Sequence, residues 1–252
     1  MYDRIKRQWA QSSADFAGTE AFWSRSAAGL VLLRDLRRAV SVHARGRALD
    51  AGAGTLAYRS VLAPHVREYR SLDITRTHPD LDVVGDVQAM PLPDASFETV
   101  LCAEVLEHVP DPRKALAEIF RVLAPGGKLI ITVPHLAYLH NEPHDYYRYT
   151  KYGLRTLLEG AGFRVLSLEP SGGFFSFLEL LFATTVVGLT YGISGLWPVA
   201  FAALRGMNRV ALSLDDHTDE RKLFALHYLA VAEKVRVPLV ESVRGEGTGM
   251  DG

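Results

Sequence analysis

The sequence predicts an α/β fold, a sheet carrying helices on both faces. Three observations lead there. Short β-rich runs alternate with helical runs over residues 47–168, the signature of strands joined by crossover helices. Neither a tandem run of hairpins nor an internal repeat interrupts that alternation. Hydrophobic residues make up 48% and charged residues 23% of the 252, which excludes wholesale disorder and supplies one large core.

The elements follow in order. Residues 1–45 read as amphipathic helix, with Ala27, Leu30, Val31, Leu32, Leu33, Leu36 and Val40 set among arginines, and predict a helical cap or lid. Arg47-Ala48-Leu49-Asp50 reads as the first strand, ended by the turn Ala51-Gly52-Ala53-Gly54. A helix over 55–66 follows, then strands over 69–74, 81–86 and 97–103. Asp111-Pro112 opens a helix, because proline lacks an N–H that the first turn does not use. Gly126-Gly127 is expected to close it. A strand over 128–133, a helix from Thr150 to Gly162, and strands over 164–168 and 224–232 complete the pattern.

Charge and cysteine usage narrow the function. Lys+Arg 28 against Asp+Glu 29 leaves a net −1, so no basic nucleic-acid footprint is present and no nucleic-acid partner is expected. The single cysteine, Cys102, excludes an internal disulfide and a four-thiolate zinc site. The polar start, Met1-Tyr2-Asp3-Arg4-Ile5-Lys6-Arg7, lacks the apolar stretch of a secretory signal and predicts a cytoplasmic protein.

In open α/β sheets a ligand sits beyond the carboxyl ends of the strands. A glycine turn there lets it approach the backbone, since no Cβ intervenes. Gly52-x-Gly54-x-x-Ala57 fits the loose dinucleotide fingerprint, a weak signal by itself. Three acids sharpen it. Asp50, two residues before the first glycine, would repel a pyrophosphate but suits a cationic amine. Asp73 ends the second strand and suits the two hydroxyls of a ribose, while Asp86 ends the third and suits an exocyclic adenine amine. A sugar, an adenine and an ammonium together describe S-adenosylmethionine better than a dinucleotide.

With these residues the sequence resembles the class I S-adenosylmethionine-dependent methyltransferases of the broad small-molecule type. The resemblance runs through Leu49-Asp50-Ala51-Gly52-Ala53-Gly54, Asp73, and Gly85-Asp86-Val87-Gln88-Ala89-Met90-Pro91-Leu92-Pro93-Asp94-Ala95-Ser96-Phe97. It continues in Ala103-Glu104-Val105-Leu106-Glu107-His108-Val109-Pro110-Asp111-Pro112 and Val122-Leu123-Ala124-Pro125-Gly126-Gly127. It implies a Rossmann-like methyltransferase fold: a mostly parallel seven-stranded sheet, helices on both faces and a final antiparallel strand. The resemblance covers the core and the last strand, and with the pattern of the remaining residues the chain reads as one domain over 1–240: a cap (1–45), a cofactor-binding core (47–168), an apolar helical insert (173–219) and the last strand (222–235). The glycine-rich residues 241–252 read as a disordered tail.

Carried over residue by residue, the resemblance implies that Gly52 and Gly54 bring the backbone close to the methionine part of S-adenosylmethionine, with Asp50 near its amine. Asp73 would hold the ribose, Asp86 the adenine amine, and Val87 would add its N–H and an apolar face. Cys102, Ala103 and Glu104 would line the pocket near the sulfonium. Read by themselves, Cys102 is a small buried apolar residue, and Glu104 and Glu107 suit a solvated helix face. One residue departs from the family pattern: Leu56 stands where many relatives have a third glycine.

The methyl acceptor is less legible. The run from Pro134 to Tyr149 leaves the sheet edge with three histidines, four tyrosines and an arginine. His135 directly follows the strand, and a histidine suits a general base near neutral pH. The span from His144 to Tyr149 suits a structural role, with Asp145 and Arg148 as a local ion pair. No metal site is expected: Pro143 opposes a continuous helix between His140 and His144, and Glu142 is misplaced for a His-Glu-x-x-His pattern.

Leu180 to Leu204 contains 25 residues without a charged side chain. Its break at Gly192-Ile193-Ser194-Gly195-Leu196-Trp197-Pro198 favours two helices, over 174–191 and 197–210, rather than one membrane span. A helix apolar all round needs burial, in the domain's own core, in a homodimer or peripheral membrane contact through 174–210, or against a lipid-like acceptor. The expected activity is methyl transfer to O, C or N of a small-molecule or lipid-like acceptor. The alternatives are a nicotinamide-dependent oxidoreductase, or a degenerate non-catalytic protein of methyltransferase fold.

Overall fold

The computed structural model describes residues 2–17 and 19–235, so the glycine-rich tail expected over 241–252 lies outside the described residues. Seven strands, β1 (Arg47–Ala51), β2 (Glu68–Asp73), β3 (Val83–Val84), β4 (Phe97–Ala103), β5 (Leu123–Pro134), β6 (Phe163–Ser171) and β7 (His227–Lys234), share one sheet. Their order is β3-β2-β1-β4-β5-β7-β6, and β7 runs antiparallel to both of its neighbours. This is the mostly parallel seven-stranded sheet that the sequence predicts.

Alternation along the central strands explains the two apolar layers, because successive side chains point to opposite faces. Val100 and Cys102 of β4, with Leu129 and Ile131 of β5, pack with Leu116 and Ile119 of α5 (Pro112–Val122) and with Leu154 and Leu158 of α6 (Lys151–Gly160). Leu101, Ala103 and Ile130 face the other way. They meet Leu32, Leu33, Leu36 and Val40 of α3 (Ala27–His43), and Val61 and Leu62 of α4 (Arg59–Leu62).

Four local readings change. The helix expected over 55–66 shrinks to α4 and a short 3-10 turn over Ala63–His65, because Gly52, Gly54 and Leu56 all hold positive φ. Leu56 accepts φ 62° while its side chain packs with Ala53 and Leu81. Helix α5 ends at Val122, four residues before Gly126. Its terminal carbonyls are met by the N–H groups of Ala95 and Ser96 and by Lys234 Nζ, so no glycine cap is needed. The strand expected over 81–86 pairs only at Val83 and Val84, since the Asp82 carboxylate takes the Ser71 N–H and hydroxyl, both at 2.8 Å. The last strand begins at His227 rather than Phe224.

The N-terminal residues form α1 (Tyr2–Asp15), α2 (Glu20–Trp23) and α3. The charge-free stretch forms most of α7 (Phe174–Thr190), the turn after it and most of the first half of α8 (Leu196–Thr218), a second helix longer than the one expected to end at 210. Gly188 lies inside α7 rather than at a break: a Cβ there would sit 2.6 Å from Ile5 Cα, so glycine lets α1 cross closely. One face of the pair is buried, through Ala183, Val187 and Leu204, while Leu178, Phe182, Val199 and Val210 on the other are exposed. Among the described residues, no helix is long and apolar enough to cross a membrane.

Three buried polar side chains lock this pair to the domain. Asp215 of α8 accepts the first free N–H groups of α7, Phe175 at 2.8 Å and Ser176 at 2.9 Å, where a capping side chain would otherwise be required. Asn208 donates to the Ser24 carbonyl at 2.8 Å. Glu179 of α7 accepts the Ala27 N–H at 2.7 Å, placing a carboxyl at the positive end of α3.

Burial pushes the Glu179 carboxyl up to about 7, against the opposing pull of the Ala27 N–H. Its folded value exceeds the ordinary 4.5, so its contribution to stability is complete below that value and is lost as the pH rises to about 7. Glu179→Gln retains an acceptor for Ala27 and removes the ionisation. Its stability relative to the parent chain is expected to climb by roughly 1–3 kcal/mol between about pH 5 and about pH 8, read as melting temperature. Parallel pH courses for the two chains would show that Glu179 does not ionise in that range.

Candidate active site

The carboxyl ends of the parallel strands meet at one edge, where the turn after β1 lies. Gly52 and Ala53 both donate to the Leu72 carbonyl, at 2.8 and 2.9 Å, which folds the turn against β2. Gly54 donates to Asp73 Oδ2 at 2.8 Å, and Gly85 donates to the Asp73 carbonyl at 2.9 Å. Asp73 thereby ties the glycine turn to the end of β3. Asp86 lies just beyond, its carboxylate accepting the Gln88 N–H at 2.8 Å. A Cβ on Gly54 would meet nothing within 4 Å, so open space lies over the turn. A left-handed glycine turn under open space, with Asp73 and Asp86 beside it, fits a nucleoside-bearing cosubstrate.

The other residues implied by the resemblance are placed differently. Asp50 is 1% exposed, and its Oδ2 accepts the Tyr69 hydroxyl at 2.9 Å, a partner the sequence pattern does not reveal. Burial pushes its carboxyl up to about 7, against the pull of Tyr69. Val87 is buried in the main core, and Cys102 faces the α5 side of the sheet, where burial pushes its thiol well up. Ala103 packs on the α3 side, and Glu104 follows it with φ 54°.

Beside Glu104 opens a cavity of about 590 Å³. Trp9, Phe22, Trp23, Leu32 and Leu180, from the N-terminal helices and α7, supply its apolar walls. Thr55 and Tyr58 join it to the glycine turn, and Glu104, His140 and His227 bring polar atoms to it. His227 Nδ1 lies 2.9 Å from Glu104 Oε2, and its buried Nε2 has no hydrogen-bond partner. Burial alone would raise the Glu104 carboxyl, but the charge and hydrogen bond of His227 bring it below the usual range. The carboxylate therefore orients the ring through Nδ1 and leaves Nε2 without a partner.

His135, the histidine that sequence position singles out as a base, does not line this cavity. Its N–H donates to the Leu226 carbonyl at 2.8 Å, its Nδ1 lies 2.9 Å from the Tyr149 carbonyl, and its ring packs on Tyr228. His227 takes the place beside Glu104. Pairing of β7 with β5 sets it opposite Pro134, a proximity across 93 residues that no local pattern shows. The 135–149 loop is organised as expected by Arg148, which forks onto Asp145 at 2.6 and 2.8 Å and also donates to the carbonyls of Ala137 and Tyr138. Glu107, which suits a solvated face in sequence, is 0% exposed. Burial and the neighbouring Glu104 hold its carboxyl well above the usual range.

Residues 49–131, which carry the glycine turn, the strand-end acids and Glu104, match the methyltransferase domain family. Over these residues the chain carries a methyltransferase domain, of the kind found in class I S-adenosylmethionine-dependent methyltransferases. The chain is 38% identical to a demethylmenaquinone methyltransferase of Renibacterium salmoninarum over 34% of its own length and 40% of the relative's. It therefore spans well under half of that relative. A protein of the same description from Deinococcus radiodurans is 29% identical over 71% of this chain and 82% of its own. Among solved structures, the 4+2 cyclase SpnF superposes with a TM-score of 0.60 at 18% identity, covering 94% of each chain, a likeness of fold alone. The match over 49–131 favours methyl transfer over the nicotinamide-dependent alternative.

The glycine turn generates a paired prediction. A Cβ on Gly52 would lie 2.4 Å from Val105 Cγ2 at φ 83°, whereas Gly54→Ala meets only an unfavourable φ of 51°. Gly52→Ala is expected to destabilise the methyltransferase by about 2 kcal/mol or more and Gly54→Ala by about 1 kcal/mol in urea denaturation. Equal losses would show that Val105 yields freely.

Proposed function

We propose that this methyltransferase acts on a hydroxyl-bearing aromatic small molecule with an apolar portion, of the quinol type. The observation that carries the reading is the Glu104–His227 pair at the floor of an aromatic-walled cavity that meets the glycine turn at Thr55. The names of the relatives from Renibacterium salmoninarum and Deinococcus radiodurans support the same acceptor class.

When bound, S-adenosylmethionine would supply the electrophilic methyl group. Gly52, Gly54, Asp73 and Asp86 would hold it at the strand ends, with the Val87 N–H and the backbone of Cys102 and Ala103 beside it. Asp50 would act on its amine from within the core. Trp9, Phe22, Trp23 and Leu180 would grip the acceptor's apolar part and exclude water, which strengthens every electrostatic contact inside. His227 Nε2 would accept the acceptor's hydroxyl proton, because its Nδ1–H is committed to Glu104. The resulting phenolate is the stronger nucleophile at oxygen and at the adjacent ring carbon, and alignment supplies much of the acceleration.

Two measurements test the reading. With a short-chain quinol and labelled S-adenosylmethionine, His227→Ala should lower kcat by roughly 10²–10⁴-fold while S-adenosylhomocysteine affinity holds. Absence of transfer to any quinol-type acceptor, with S-adenosylhomocysteine still binding, would sink the acceptor class. Binding of neither ligand would instead favour a non-catalytic protein. In calorimetry, Asp73→Ala should weaken S-adenosylhomocysteine binding about tenfold or more, through the lost charge-assisted hydrogen bonds. Unchanged affinity would mean that the ribose lies elsewhere.

A further inference from the structure

Beside the cavity, three side chains from two distant segments turn their acceptor atoms toward one another. Glu107 and His108 sit on the 3-10 turn after β4 (Leu106–His108), and His140 lies on the loop after β5. His108 Nε2 lies 3.6 Å and His140 Nε2 4.0 Å from Glu107 Oε1, and the three ligand atoms all fall within 4.8 Å of one another.

The tautomers of both rings follow from their other contacts. His108 Nδ1 lies 2.6 Å from the His144 carbonyl, which can only accept, so Nδ1 carries the proton and Nε2 is bare. His140 Nδ1 lies 3.2 Å from the Tyr138 carbonyl and 3.4 Å from Arg148 Nη2. The two hydrogens of Nη2 are already directed to the Tyr138 carbonyl and to Asp145 Oδ2, each at 2.8 Å. His140 Nδ1 therefore donates to the carbonyl, and its Nε2 is also bare. Glu107 is fully buried, and neither carboxylate oxygen receives a hydrogen bond from another residue. Two bare ring nitrogens and a fully buried carboxyl converge with no donor from another residue between them, an arrangement that a proton on Glu107 or a bound cation would satisfy.

We propose that Glu107, His108 and His140 form a binding site for a first-row divalent cation. Two imidazole nitrogens and one carboxylate oxygen suit zinc or its neighbours rather than the all-oxygen shells of calcium and magnesium. Bonds of about 2.1 Å in a tetrahedral site put ligands about 3.4 Å apart, so the two distances to Glu107 need close by only a few tenths of an ångström. The carbonyls of His144 and Tyr138 already hold the rings as outer-shell acceptors do in metal sites. Three protein ligands leave at least one coordination position free, and His140 faces the cavity. On the quinol reading above, an acceptor oxygen would take that position. Cation binding itself does not depend on that reading.

The test uses the tag-free full chain, stripped with a chelator and titrated with cobalt(II), whose visible absorption reports its coordination, and then with zinc(II) in competition. One equivalent is expected to bind, with intensified visible bands that zinc abolishes. Glu107→Gln, His108→Ala and His140→Ala should each weaken binding about tenfold or more. His144→Ala should leave it unchanged, because His144 contributes only its main-chain carbonyl. Circular dichroism of each variant separates lost ligation from lost folding, and Glu107→Gln is nearly isosteric. Dissociation constants above about 1 mM, or affinity unchanged in both Glu107→Gln and His140→Ala, would overturn the site whether or not methyl transfer is observed.

Discussion

The direction of β7 governs what stands at the functional edge of the sheet. Because β7 inserts antiparallel between β5 and β6, its first residue lies where the other strands have their last. His227 is thereby paired with Pro134 and set beside Glu104 at the end of β4. The same reversal leaves β6 ending and β7 starting at that edge, so α7 and α8 between them are confined to it. A right-handed crossover to a parallel seventh strand would have carried the connection across a face of the sheet instead. The apolar hairpin over the cavity and the histidine in its floor share one topological cause.

Buried charge is used sparingly and with partners that suit it. Glu179 and Asp215 each meet free N–H groups at a helix start, where a carboxyl gains from both hydrogen bonding and the helix dipole. Asp50 is held by Tyr69, and Glu104 by His227. These contacts dock an insert that has almost no charge of its own, and they fix the helices that wall the cavity. Glu107 stands apart. It is as buried as the others, yet no donor from another residue reaches its carboxyl, and Oε1 lies 3.6 Å from His108 Nε2 and 4.0 Å from His140 Nε2.

Local sequence was a good guide to the sheet and the glycine turn, and a poor one to their partners. The β-rich run Phe97–Ala103 was legible to the residue, because Val100 to Ala103 is an apolar run of the kind a strand buried on both faces carries. Helix ends were misplaced where tertiary contacts replaced local caps. Gly126 looked like the close of α5, but Ala95, Ser96 and Lys234 satisfy its carbonyls earlier. The span 55–66 looked helical, but three left-handed residues spend its first part on the turn. His135 follows a strand as a base would, but its ring is held by the Tyr149 carbonyl and Tyr228 outside the cavity. Local spacing set His140 beside His144, whereas the ring that lies against it is that of His108, 32 residues earlier.

The sequence by itself determined the class of fold, the glycine turn, the strand-end acids Asp73 and Asp86, and the two-helix form of the charge-free stretch. Each is written in short-range spacing, because strand and helix periodicity and turn chemistry act over a few residues. Only the tertiary structure decided that His227 faces Glu104, that Asp50 answers to Tyr69, and that Glu107, His108 and His140 converge. Those meetings depend on strand direction and loop path, which bring together residues tens of positions apart and leave no periodic trace in the chain.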